Sequence, residues 1–162
     1  MSDAMNAALA YAARGWRVLP LHTIGADGAC DCPEANCSSP AKHPHLPNGQ
    51  HGASSDSEQV LRWWGRWPAA NVGITTGALE NGRYLAVLDI DPKNGGNDSF
   101  DALVREFGPM PDTREVITGS GGRHFYFESD EAMPKRLNVR PGVDIIAGSK
   151  PDAGYVVAPP SM

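Results

Sequence analysis

The stretch YLAVLDIDPKNGG, residues 84–96, carries Asp89 and Asp91 two positions apart at the end of an apolar run. A carboxylate among apolar neighbours is costly, and two close together repel each other. Residues two apart on a strand point to one face, so Asp89 and Asp91 project together, with Ile90 turned away. A divalent cation between them relieves the repulsion, and an all-oxygen shell favours magnesium or manganese over zinc. Pro92 ends the strand. The KNGGND run that follows leads to a helix start whose backbone N–H groups, with Lys93, could meet phosphate. The same residues also suit a plain strand-end turn, since Asp-Pro followed by Asn-Gly-Gly is ordinary turn chemistry.

A second set of reactive side chains lies in CDCPEANCSSPAKHPHLPNGQH. Cys30, Cys32, Cys37 and His43 give the spacing C-x-C-x4-C-x5-H. Three thiolates and an imidazole suit tetrahedral zinc, and a full Cys3His shell makes the site structural rather than catalytic. These are the only 3 cysteines of the chain, an odd number that cannot all pair within it. His45 and His51 are rival fourth ligands. The competing picture is a Gly- and Pro-rich loop with free thiols.

Two further stretches add polar groups to apolar strands. In TGSGGRHFYFE, residues 118–128, a Gly-rich turn runs into an alternating strand. His124 and Tyr126 share one face, and Arg123, Phe125 and Phe127 the other. A histidine just after Gly121-Gly122 can reach a ligand whose phosphates approach the backbone closely. In RPGVDIIAG, residues 140–148, Asp144 sits between Val143 and Ile145 and wants a partner. One sheet can bring Asp144 beside Asp89 and Asp91. Such a three-carboxylate site suits two divalent cations and in-line phosphoryl transfer.

The elements that must position these groups are legible in outline. The chain has 162 residues, 41% hydrophobic and 20% charged, enough for one domain with a real core. We take residues 1–162 as a single domain, with a zinc-binding loop at about 25–52. Helical spacing of Ala, Leu and Tyr predicts a helix over 3–14, with Gly15 as a C-cap. WRVLPL, residues 16–21, alternates and reads as a strand. Residues 23–55 have no periodicity and are too long for an idle loop, so something other than a hydrophobic face must order them. A short helix over 55–67 is predicted, with Ser55 and Glu58 at capping-box spacing and Pro68 as its stop. NVGITTG and RYLAVLDI read as strands. A helix from about Asp98 to Phe107 has Phe100, Leu103, Val104 and Phe107 on one face, capped by Asn97 or Asp98. REVITG, RHFYFES, GVDIIAG and GYVVAPP read as four more strands. The result is a mixed α/β or α+β sheet domain.

Net charge is −5, which argues against a dominant phosphate-backbone binder, although cations bound at a carboxylate site would reverse the charge locally. No apolar run approaches a membrane span, and MSDAMNAALAYAARGW has no basic segment of a secretory signal. A soluble cytoplasmic protein is expected.

Asp89-x-Asp91 after a hydrophobic strand, Gly121-Gly122-x-His124-x-Tyr126-Phe127, Gly142-Val143-Asp144-Ile145 and the closing GYVVAPPS together resemble the bifunctional DNA primase/polymerase N-terminal domain. That family is part of the archaeo-eukaryotic primase superfamily, found in phages, plasmids and bacterial mobile elements. ALAYAARGWRVLPL resembles its opening helix and strand, WWGRWPAANVGITTG the segment before its first catalytic strand, and CDCPEANCSSPAKHP a zinc-binding insertion. The resemblance covers nearly the whole chain, in order.

The resemblance implies an α+β fold, with an RNA-recognition-motif-like catalytic sheet of the primase type, an N-terminal α/β portion and a zinc-binding loop. It implies that Asp89, Asp91 and Asp144 hold magnesium or manganese, and that His124 contacts the triphosphate of the incoming nucleotide. Lys93, Gly121, Gly122 and Arg123 join the expected nucleotide-binding set. Arg136, Arg140 and Lys150 are further candidates for phosphate or template contacts. The implied activity is template-directed joining of nucleotides, both primer synthesis and extension. The implied partners are a single-stranded DNA template, nucleoside triphosphates and a helicase domain or partner. Where many members carry a basic residue after the third motif, this chain has Ile145-Ile146. Members usually continue past the equivalent of VVAPPSM, so a chain shortened at its C-terminus is expected. Two other functions use the same residues: a metal-dependent nuclease or phosphodiesterase, and a non-catalytic zinc-stabilised module that binds nucleic acid.

Overall fold

A computed structural model describes residues 2–161. The chain divides into two compact units. The first comprises residues up to Thr75, Leu79–Asn81 and the segment from Tyr155; the second comprises Thr76–Ala78 and Gly82–Gly154.

In the first unit, α1 (Asp3–Ala12) is capped by Ser2, whose side chain accepts from the Met5 N–H. It packs against α2 (Ser57–Arg66) and β1 (Val18–Leu21). The strand β1 pairs antiparallel with β2 (Asn71–Ala78), Val18 opposite Ile74 and Leu21 opposite Asn71. All four residues of β1 are buried. Leu19 and Leu21 form a core with Ala53, on which Leu46, Tyr155 and Val157 pack. Leu46 and Ala53 belong to the long loop, so apolar anchors do help to order it. Backbone bridges add to this, with Leu21 opposite Pro44, Ile24 opposite Cys30, and Val18 opposite Ser54.

The cap of α2 also differs from expectation. Asp56 is the N-cap and accepts from the Glu58 and Gln59 N–H groups, whereas Ser55 donates to Glu80 at 2.6 Å. Asp56 is itself a strong capping residue and stands one residue nearer the helix.

In the second unit the central strand is β3 (Tyr84–Ile90). One edge pairs along its whole length with β5 (Arg123–Ser129). The other edge pairs first with the end of β2 and then with β7 (Val143–Ile146). Beyond β5 lies β4 (Arg114–Ile117), and beyond β7 lies β6 (Arg136–Arg140). All these pairings are antiparallel. The strand β6 was not foreseen: RLNVR is short and exposed on both faces, so no alternation marks it. The last strand, β8 (Gly154–Ala158), pairs with β2.

The helix α3 (Gly96–Phe107) begins before the expected Asn97 or Asp98. Gly95 is its N-cap, and no side chain caps it. The helix lays Phe100 on Ile90, Phe125 and Val143, with Leu88, Leu103, Val104 and Phe127 packed around them. Phe107 was expected on this face but is 75% exposed, because the helix ends there, at Gly108. Phe100→Ala is therefore expected to cost about 3–5 kcal/mol of stability. Phe107→Ala should cost less than about 0.5 kcal/mol. Urea unfolding of both variants checks the pair.

Candidate functional site

Strand pairing assembles the acidic site. On β3, Asp89 stands opposite His124 of β5 on one side and opposite Asp144 of β7 on the other. Directly paired residues share a face, with Cβ atoms about 4.5–5.5 Å apart. The neighbours Ile90, Phe125 and Val143 turn to the opposite face, where α3 covers them. Alternation thus puts Ile90, Phe125 and Val143 under the helix and the acids on the other face of the sheet.

Asp91 lies one residue beyond β3. Its Oδ1 accepts from the Lys93 N–H at 3.0 Å, capping a short 3-10 turn, Pro92–Asn94. Its Oδ2 accepts from the Asn94 amide at 2.6 Å. Asp144 Oδ1 accepts from the Asn138 N–H at 2.6 Å. A pocket of about 490 Å³ is lined by Asp89, Asp91, Asn94, Leu137, Asn138, Pro141, Gly142 and Asp144. All three sequence-predicted carboxylates thus line one cavity. Their donors are oxygens only, a set that fits magnesium or manganese.

The backbone of Asp91 is clamped. Its N–H donates to Gly142 O at 2.8 Å, and its carbonyl accepts from the Gly96 N–H at 2.9 Å. Gly142 has φ +68, and a Cβ there would lie 2.5 Å from Gly96 N and 2.6 Å from Asp91 O. Only glycine fits this conformation and this approach together.

His124 is buried, with Nε2 3.3 Å from Asp89 Oδ1. Its Nδ1 is buried and has no hydrogen-bond partner among the described residues. Such an orphaned nitrogen is costly unless a ligand or water meets it. His124 stands behind Asp89 and does not itself line the pocket. Gly121 and Gly122 form the β4–β5 hairpin turn, where a Cβ on Gly122 would lie 2.8 Å from Ile90 O. That turn therefore presses on the end of β3.

The expected basic residues are not gathered in the pocket. Arg123 lies on the α3 face, its guanidinium over Phe100 and Phe125 and its Nε 2.6 Å from Glu115. Arg140 pairs with Glu106 at 3.0 Å. Lys93, Arg136 and Lys150 are exposed. Sequence reasoning missed Asn94 and Asn138 as neighbours of the acids. Asn138 has φ +51, inside a register shift of the β6–β7 pair. An Asn in an Arg-Leu-Asn-Val-Arg run was the one available hint, since Asn tolerates that conformation.

In the first unit, Cys30, Cys32, Cys37 and His43 gather with donor atoms within 4.8 Å of one another. His43 Nε2 lies 3.0 Å from Cys37 Sγ and 3.4 Å from Cys30 Sγ. This Cys3His group could hold zinc. Of the three rival histidines, His43 is the one in the cluster. His45 stacks on Trp67 instead, and His51 sits in a 3-10 turn, Gly49–Gly52. Burial pushes the Cys30 thiol up, but hydrogen bonds from Ala41, Cys32 and His43 outweigh it and bring it to about 7. Burial and the neighbouring thiols push Cys37 up to about 11. Burial and the charge of His22 hold His45 down at about 4.

The chain belongs to the family of bifunctional DNA primase/polymerase N-terminal domains, which matches residues 8–162. Its members are DNA primase/polymerase nucleotidyltransferases, whose substrates are DNA and nucleotides. No curated protein and no solved structure matches the chain.

Two outcomes follow from this geometry. Gly142→Ala should destabilise the protein by about 1–3 kcal/mol, through strain at a left-handed position and the clash with Asp91 and Gly96, as read by urea unfolding. Zinc binding must remove the protons of the thiols, above all that of Cys37. Apparent zinc affinity should therefore fall as pH drops from 8 to 6, in competition with a chromophoric chelator.

Proposed function

We propose that the chain performs template-directed nucleotidyl transfer, making and extending primers on single-stranded DNA during replication of a phage, plasmid or other mobile element. The observation that carries this reading is the strand register that sets Asp89 between Asp144 and His124, in the pocket that Asp91 also lines. Membership of the primase/polymerase family supports it independently. The antiparallel sheet with α3 on one face supports the RNA-recognition-motif-like reading of the catalytic portion.

In this reading Asp89, Asp91 and Asp144 hold two magnesium or manganese ions. Bound there, the ions would acidify the attacking 3′-hydroxyl and neutralise the departing pyrophosphate oxygens. The chain's own residues position the acids. His124 orients the Asp89 carboxylate, Asn94 and the Lys93 N–H hold that of Asp91, and the Asn138 N–H holds that of Asp144. Strands hold such groups more rigidly than loops do. His124 can also serve the triphosphate of the incoming nucleotide, which would satisfy its unpartnered Nδ1. That contact requires the phosphates to reach the imidazole beside Asp89. Gly121 and Gly122 keep the neighbouring turn low, and exposed Lys93 is available to phosphate. Arg123, paired with Glu115 on the other face, would have to leave that pair to take part. The Cys3His group would hold a structural zinc. No helix among the described residues is long and apolar enough to cross a membrane, so nothing in the helices opposes a role on DNA in the cytoplasm. A helicase remains the proposed companion.

Asp89→Asn and Asp144→Asn should each lower primer synthesis and extension about a hundredfold or more, because several kcal/mol of transition-state stabilisation is lost. Circular dichroism should show the fold retained. The assay supplies single-stranded DNA, with and without an annealed primer, nucleotides, and magnesium or manganese. Full activity in either variant would remove the acids from the mechanism. Shortening of a labelled strand, independent of added nucleotides, would point to a nuclease instead.

A further inference from the structure

Beside the Cys3His group lies a second set of metal-type donors. We propose that His22, Asp31 and His45 form a separate site for a divalent transition metal of the zinc class, with a coordination position left open. This inference does not depend on the nucleotidyl-transfer reading.

The backbone builds the site. Where Leu21 bridges Pro44, the His22 N–H donates to His43 O at 2.8 Å and the His45 N–H to Pro20 O at 3.0 Å. The Asp31 N–H donates to Thr23 O at 3.0 Å, and the Thr23 N–H returns a bond to Asp31 Oδ1, also at 3.0 Å. Backbone hydrogen bonds among six residues, Pro20, His22, Thr23, Asp31, His43 and His45, thus hold three side chains in one place.

The donor atoms of His22, Asp31 and His45 lie within 4.8 Å of one another. Zinc–nitrogen and zinc–oxygen bonds of about 2.0–2.2 Å put donors on one ion within roughly 4.4 Å of each other, so small side-chain rotations close the shell. His22 Nδ1 is 2.7 Å from Asp31 Oδ1, and both hydrogen bonds to that carboxylate use Oδ1. Oδ2 remains for a ligand.

His45 supplies the second observation. Its ring is packed between His22, with ring centroids 3.7 Å apart, and Trp67, at 4.7 Å and nearly parallel. Its Nε2 is buried and has no hydrogen-bond partner among the described residues. A buried nitrogen left unpaired costs free energy that a metal bond would recover. Two imidazoles and a carboxylate are borderline donors suited to zinc, cobalt or iron, in contrast to the soft thiolate set beside them. Three protein ligands leave a position for water, as a filled Cys3His shell does not.

Cobalt(II) titrated into metal-free full-length chain distinguishes the two sites. Thiolate charge-transfer absorption should be complete at one equivalent, and a second equivalent should add only weak visible bands. Asp31→Asn, which keeps an acceptor for the Thr23 N–H, and His45→Gln should each keep the thiolate band and lose the second equivalent. Total zinc in the purified protein should fall from two to one per chain in both variants. Saturation at one equivalent in the native sequence would overturn the proposal. So would retention of two equivalents in both variants, because the ion would then lie elsewhere.

Discussion

Three carboxylates repel, and a protein that gathers them must hold them by forces unrelated to their charge. For Asp89 and Asp144 that force is the antiparallel register of β3 between β5 and β7. The same pairing that presents Asp89, Asp144 and His124 to one face drives Ile90, Val143 and Phe125 under α3 on the other. A slip of one residue would bury the acids and expose the core, so the apolar face enforces the geometry of the polar one. Stability and site are two sides of one strand alignment.

Asp91 needs a different device because it falls past the strand. Gly142 and Gly96 let three segments of backbone converge on it, and a 3-10 turn folds Lys93 and Asn94 back on its carboxylate. Hydrogen bonds of this kind hold an anion in place, which would lower the reorganisation demanded by the proposed cation binding. The edge strand β6 does the same for Asp144. Its bulge turns the N–H of Asn138 away from the ladder and onto the carboxylate.

The first unit answers a different constraint. A loop with few apolar residues cannot pay the entropy of its own ordering. Leu46 and Ala53 anchor it to the β1 core, and bridges tie Pro44, Cys30 and Ser54 to the segment around β1. These ties bring together residues far apart in sequence, including the Cys3His group and the His22–Asp31–His45 set beside it. Apolar anchoring and backbone bridges therefore order the loop and set its metal-type donors side by side.

The sequence by itself determined which residues could act and much of the element order. The D-x-D pattern, the Cys and His spacing and the alternation of RHFYFES are local, and period-2 and period-3.6 patterns carry them without tertiary help. What only the tertiary structure decided was partnership. Nothing local says that Asp144 pairs with Asp89, that Arg123 is spent on Glu115 and two phenylalanine rings, or that His45 leaves the thiolates for Trp67. The strand β6 was invisible because an exposed edge strand needs no apolar face, and its pairing comes from β7 rather than from its own residues. Side-chain chemistry is a property of position in the chain, but the neighbours that give it a task are set by long-range strand register, which a local pattern does not encode.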